Sequence, residues 1–346
     1  MARKKLKIAI YDYYGAERLL RNNYIFQLLG SEYDIELNDK NPDLIFFSGR
    51  WRNKRKLFIG MKKCLKVFFT GENTKPDFQF CDYAFSYEDT NERNFQLPIF
   101  ATHVYYKGVN PRTFIRVASP HVNFDADLAE YRKFPKSRFC IFLFSNPNPK
   151  TRIEFCKKLM AYKKVDCPGK VLNNMPHLPY NKIKKLLGFS KHYKFSIAFE
   201  NTSAINYTTE RVSRAFAVGS IPIYWGNPKI AEFFNPEAFI NCHDYDNFDK
   251  VIQRVIEVDN DDVLYQKYRN APPILEGSKA HAITEAAILE RLNKIVSEVG
   301  VVSPACYWGR PSRALPYLYK DISAYILEKV KKLIYHLALL KRNIFQ

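Results

Sequence analysis

Short apolar runs rich in aromatic and β-branched residues alternate along the chain with stretches whose apolar positions recur every three or four residues. The runs Lys7–Tyr14, Leu44–Ser48, Cys64–Thr70 and Tyr83–Tyr87 predict strands, and Glu17–Leu29 predicts a helix between the first two. A stretch dotted with prolines and charges, from Pro111 to Lys136, breaks this pattern. It restarts with strands over Phe139–Ser145, Phe195–Phe199 and Ile221–Trp225. Helices are expected over Arg152–Tyr162, Thr209–Val218, Asp246–Val258, Asp262–Asn270 and Ile283–Val299. Strand–helix alternation on both sides of a break predicts two α/β units with parallel sheets, the first ending near residue 135. Ligands of such sheets bind beyond the carboxyl ends of the strands, so the residues just after each strand are the ones to read for chemistry.

From Arg313 to Gln346 the pattern is different. Ile322, Ile326, Val330, Leu333, Leu337 and Leu340 are interleaved with Lys320, Lys329, Lys331, Lys332, Lys341 and Arg342, the signature of a basic amphipathic helix. Such a helix either lies on an anionic membrane surface or packs on the fold. Charge points the same way: 54 Lys and Arg against 35 Asp and Glu leave +19, which suits nucleic acid, an acidic membrane face or a phosphorylated substrate. A chain of 346 residues that is 47% hydrophobic and 26% charged is neither disordered nor a small disulfide-stapled scaffold. The seven cysteines are scattered, without a CxxC, and read as reduced thiols of a cytosolic protein lacking structural zinc. The N-terminal apolar run meets Asp12 within a few residues, as a first strand does and an export signal does not. With no uninterrupted apolar stretch of about 18 residues, any membrane contact is expected to be peripheral. Aromatic residues make up 15% of the chain, but most fall in strand runs such as Leu44-Ile-Phe-Phe47, and no nucleic-acid-binding module is present. No nucleic-acid partner is expected.

The segment from Phe195 to Arg211 reads as strand, polar loop and helix start, and Ala215 to Gly226 continues it as helix, glycine stop and strand. Thr208 or Thr209 suits the helix N-cap, and Glu210 falls in the first turn. Backbone amides at such a terminus, with Arg211 beside them, suit a phosphate. Equally, Glu210 complements the helix dipole and Arg211 is a solvated charge. Two Asp-x-Asp pairs, Asp125-Ala-Asp127 and Asp244-Tyr-Asp246, fall in the linker and at a helix opening and read as structural. His103, His121, His177, His192, His243, His281 and His336 lack any metal-type spacing.

The words around these residues carry a more specific signal. FSIAFENTSAINYTTERVSRAFAVGSIPIYWG, from Phe195 to Gly226, closely resembles the donor-binding motif of the α-1,3-fucosyltransferases, glycosyltransferase family 10. Phe69-Thr-Gly-Glu-Asn-Thr-Lys-Pro-Asp-Phe-Gln-Phe-Cys-Asp-Tyr-Ala84 resembles that family's Gly-Glu-Asn segment, and Phe144-Ser-Asn-Pro-Asn-Pro-Lys-Thr-Arg152 its asparagine-rich turn. The likeness is to members of bacterial type and covers roughly residues 40 to 275.

This resemblance implies a GT-B architecture, two Rossmann-like domains facing across a cleft. Residues 1–135 then form the acceptor-side domain, 136–312 the GDP-fucose-binding domain and 313–346 the basic helix. It implies inverting transfer of L-fucose from GDP-fucose to a glycan acceptor, at O3 of GlcNAc in a Gal-GlcNAc unit, lipid-linked at the cytoplasmic face of the cell membrane. Glu72 aligns with the catalytic base; the plainer alternative is a loop carboxylate holding Asn73 or the turn before Pro76. Arg152 and Arg211 are expected on the diphosphate, where developing charge gives fixed cations most effect. Glu210 is expected on the ribose hydroxyls, Asn201 and Tyr207 along the donor pocket, and Glu200 near the fucose unless it merely satisfies loop amides. Arg211 and Thr208 depart from the family's usual lysine and valine. No metal site or cofactor is required, a divalent ion being at most stimulatory. The alternatives are another donor or acceptor on the same fold, and a binding protein without turnover.

Overall fold

The computed structural model describes residues 3–11, 23–48, 64–78, 81–89, 91–101, 133–178 and 183–301. The Asp125-Ala-Asp127 pair, the expected linker up to residue 132 and the expected C-terminal helix lie outside the described residues.

The N-terminal strands are β1 (Lys4–Tyr11), β2 (Tyr33–Leu37), β3 (Leu44–Phe47), β4 (Leu65–Phe69), β5 (Tyr83–Ser86) and β6 (Asn94–Gln96), with helix α1 (Tyr24–Glu32) between the first two. They form one sheet in the order β2-β1-β3-β4-β5-β6, with every pairing parallel. β3 and β4 are buried at every residue, as expected of central parallel strands covered on both faces. Asn23 caps α1, its side chain accepting the Ile25 amide at 3.0 Å.

The second sheet contains β7 (Arg138–Ile141), β8 (Val165–Asp166), β9 (Tyr193–Phe199), β10 (Ile221–Trp225) and β11 (Ile240–Asn241). Their order, β11-β10-β9-β7-β8, is again parallel throughout. The longer helices among the described residues here are α2 (Lys150–Met160), α3 (Ile183–Ser190), α4 (Glu210–Ala217), α5 (Phe248–Asn260), α6 (Asp262–Asn270) and α7 (Glu285–Ser297). β7 ends earlier than its apolar run suggests. Phe142 and Phe144 stay buried after the chain leaves the sheet, so the hydrophobic pattern outlasts the ladder.

This strand order reverses direction between β7 and β9. A crevice opens at the carboxyl ends of the strands at such a switch point. Two neighbouring contacts hold the halves of the molecule together. Phe100 lies against Phe233 and Phe234 at ring distances of 5.9 and 4.9 Å, and its amide donates to the Thr208 carbonyl at 3.4 Å. Further along the chain, α7 returns to the first sheet: the Tyr33 hydroxyl donates to Asn293 at 3.0 Å, and Arg291 covers the Tyr83 ring at 5.1 Å. One hydrophobic core therefore runs from β1 and α1 through Phe216, Phe233 and Phe239 to Leu292 and Ile295.

Candidate functional site

Three loops converge at the β7/β9 switch. The first leaves β7 through Phe144, Asn146 and two prolines, Pro147 and Pro149, which set an extended entry into α2. Arg152, in the first turn of α2, is only 1% exposed. Its guanidinium donates to the Asn146 carbonyl at 2.6 Å and to Asn201 Oδ1 at 3.0 Å, and covers the Phe144 ring at 4.2 Å. Gly169 keeps this loop in place, because a Cβ there would lie 2.3 Å from the Phe144 carbonyl oxygen.

The second loop runs from the end of β9 to the start of α4. Glu200 is buried and organises it: its carboxylate accepts the Thr209 amide and hydroxyl, each at 2.7 Å, and pairs with Arg211. Thr209 is the N-cap residue of α4, yet its side chain makes no capping bond, because its hydroxyl is turned to Glu200. Burial pushes the Glu200 carboxyl up, while the Arg211 charge and the Thr209 hydrogen bonds oppose that shift. Arg211 also donates to Thr209 Oγ1 at 2.6 Å and to Asn201 Oδ1 at 3.4 Å. Glu210 is buried and pairs with Arg214 one turn on, at 3.3 Å.

The third loop leaves β10 at Gly226, where a Cβ would lie 2.4 Å from Glu200 Cγ, so only glycine lets the chain pass this close. His243 Nε2 accepts the Gly226 amide at 3.2 Å, and burial lowers the imidazole pKa, keeping it neutral as that bond requires.

Between the first two of these loops, α4 and α3 lies a cavity of about 300 Å³, at the lower end of small-ligand pockets. Arg152, Arg211, Arg214, Asn146 and Asn201 form its polar wall, and Leu143, Leu186, Leu187 and Val218 its apolar one. The structure thus brings together three of the expected donor residues, Arg152, Asn201 and Arg211, on the cavity wall. Glu200, Tyr207 and Glu210 are buried outside its lining: Glu200 pairs with Arg211 and Glu210 with Arg214 of the wall, whereas Tyr207 packs on Tyr87, so the expected placing of Glu210 and Tyr207 along the donor pocket is not met. Arg214, Phe144 and Gly226 were not singled out from the sequence. An arginine on an amphipathic helix reads as surface, and the clash that demands Gly226 involves a residue 26 positions away.

Glu72 follows β4 in the other sheet and is exposed. Its charge acts on Tyr207: burial raises that phenol well above its ordinary range, with the Glu200 and Glu72 charges adding to the shift. The Tyr207 ring meets Tyr87 of the first sheet edge-on at 5.4 Å. Asp244 accepts from Asn241 at 2.7 Å and Asp246 pairs with Lys250, while Asn247 caps α5. No group of three or more His, Cys, Asp or Glu is arranged to hold a metal ion among the described residues.

Comparison with known proteins agrees across both sheets. Residues 134–285 match the C-terminal region of the glycosyltransferase family 10 fucosyltransferases, and residues 8–106 match the N-terminal domain of α-(1,3)-fucosyltransferase FucT. The α-(1,3)-fucosyltransferase FucT of Helicobacter pylori is 31% identical over 300 residues, which cover 79% of this chain and 61% of that protein. The chain thus spans about three fifths of that relative's length. A crystal structure of an α1,3-fucosyltransferase superposes with a TM-score of 0.72 and 27% identity, over 87% of this chain and 93% of the other. An α1,3-fucosyltransferase crystallised with GDP-fucose gives 0.69 and 26%, over 88% and 94%.

Proposed function

The chain belongs to glycosyltransferase family 10, the fucosyltransferases, with their GT-B fold, and on that premise we propose that it transfers L-fucose from GDP-fucose to a sugar hydroxyl with inversion. The observation that carries this reading is the cavity at the β7/β9 switch, whose wall holds Arg152, Arg211 and Asn201 within mutual hydrogen-bond reach. A diphosphate there meets two guanidinium groups already oriented by Asn201, Phe144 and Glu200, so little reorganisation accompanies the growth of charge on the leaving group. Asn201 flanks the donor, while Glu210 acts on it from behind the wall by holding Arg214, with which it pairs in the first turns of α4. Glu200 acts on the donor through Arg211, which it holds.

Across the cleft, Glu72 is the base. Its carboxylate takes the proton from the acceptor hydroxyl as that oxygen bonds to the anomeric carbon, and the bond pair to the diphosphate oxygen leaves with GDP. The acceptor is O3 of GlcNAc in a Gal-GlcNAc unit of a cell-surface glycan precursor. The surplus of +19 supports work beside an anionic surface, the cytoplasmic face of the cell membrane, with the acceptor on a lipid.

The test is GDP release from GDP-fucose, with GDP-mannose as control, with and without N-acetyllactosamine and with and without EDTA. Release that depends on both fucose and acceptor, and that persists in EDTA because arginines meet the diphosphate charge, is the expected outcome. Release from GDP-mannose at an equal rate contradicts the donor; complete loss in EDTA contradicts the role given to the arginines.

A further inference from the structure

A general base on a solvent-exposed loop needs something to hold it opposite the donor. Within its own loop Glu72 is fixed by a tight turn: its amide donates to Thr70 Oγ1 at 3.2 Å, and its carbonyl accepts the Thr74 amide at 2.7 Å. The link to the donor side comes from the next residue. Asn73 Oδ1 accepts the Tyr87 hydroxyl at 2.7 Å, and Asn73 Nδ2 donates to Thr202 Oγ1 at 2.8 Å. Tyr87 directly follows β5 in the first sheet, whereas Thr202 lies in the loop between β9 and α4 that carries Asn201. That same loop brings Tyr207 edge-on against Tyr87, at 5.4 Å and an interplanar angle of 68°. Asn73 and Tyr87 therefore clasp the donor-side loop at two points, Thr202 and Tyr207. A carboxamide suits this place because it accepts at one end and donates at the other, and its plane fixes the angle between the two partners.

We propose that Asn73 is a positioning residue for transfer: its carboxamide couples the Glu72 loop to the 201–207 loop, so that the base is presented to the acceptor when the donor loop is in place. This rests on the reading of Glu72 as the base. Asn73 and Thr202 are both exposed and outside the cavity wall, so cutting their link leaves the cavity untouched; Asn73→Ala also removes the acceptor of the buried Tyr87 hydroxyl, which Thr202→Val does not.

Two measurements on the full chain test the coupling. In steady-state transfer, Asn73→Ala lowers kcat by about tenfold or more, since small misplacements of a reacting group are costly, while the GDP Kd stays within about twofold. Thr202→Val gives a smaller loss, and the double variant is no slower than Asn73→Ala within about twofold, as for two residues of one connection. Losses that multiply, an unchanged kcat in Asn73→Ala, or a GDP Kd that weakens in step with kcat, each overturn the proposal. In amide hydrogen exchange, GDP slows exchange over residues 201–207 and also over 70–75 in the wild type, but only over 201–207 in Asn73→Ala. Absence of any GDP effect over 70–75 in the wild type overturns the coupling. If that effect is present but the wild type transfers no fucose, the transfer reading fails and the coupling stands.

Discussion

Arg211 faces two ways. Its guanidinium closes the ion pair with buried Glu200 and also forms part of the cavity wall. Arg211→Ala therefore has two consequences. It leaves a carboxylate buried without its cation, a change on the order of 3 kcal/mol in stability, and it removes one of the charges proposed to meet the diphosphate. The expected outcome is a lowered melting temperature together with weakened GDP binding. Arg211→Lys keeps the charge and is expected to retain most of both. Thermal melts with a GDP titration on both variants check this, and wild-type GDP affinity in Arg211→Ala would remove Arg211 from the donor site. The sequence placed this arginine beside a helix terminus but could not show its partner, because Glu200 reads equally well as a ligand contact or a loop-satisfying carboxylate. Its contacts with Thr209 and Arg211 resolve what the carboxylate does in this fold: it fixes the start of α4.

Elements of the second sheet are tied from behind by another buried carboxylate. Asp259, near the end of α5 and 6% exposed, accepts from Lys194 of β9 at 3.0 Å and from Lys163 and Tyr162 beyond α2 at 2.9 and 3.0 Å. Burial alone pushes its pKa up, but these hydrogen bonds and the Lys194 charge outweigh burial and lower it. A carboxyl whose folded pKa is depressed contributes stability above its unfolded pKa, near 3.8, and loses it as pH falls through the lower folded value. Asp259→Asn is accordingly expected to be less stable than wild type at neutral pH, with the difference shrinking below pH 3.8, in urea melts across that range. A constant difference at every pH would show that the charge is not what Asp259 contributes. Elements with strong local signals were legible. Ile221–Trp225 is a strand and Asp262–Asn270 a helix with the bounds their patterns predict. β2 was not legible: Tyr33–Leu37 alternates acidic with apolar residues, is half-buried at the sheet edge and follows α1 with no breaker between them. The two-residue strands β8 and β11 are too short to leave a period in the sequence.

Across the whole molecule, two parallel sheets place two different chemistries on opposite loops: a carboxylate after β4 and guanidinium groups after β7 and β9. The alternation of strand and helix made this architecture readable, and the motif words marked Arg152, Asn201 and Arg211, which the fold brings to one cavity wall. The connections between the halves were not, since Asn73 and Thr202 lie 129 residues apart and nothing local marks them as partners. The return of α7 to the first sheet is hidden for the same reason, as Tyr33 and Asn293 are separated by 260 positions. The central claim is the division of labour between these sides, and Glu72→Gln tests it most directly. The change keeps the size of the side chain, removes the carboxylate proposed as the base and leaves the cavity wall untouched. Measured as acceptor-dependent GDP release from GDP-fucose, it is expected to lower turnover by roughly 10²-fold or more. Turnover within about threefold of wild type, far below what loss of a general base costs, would contradict the account.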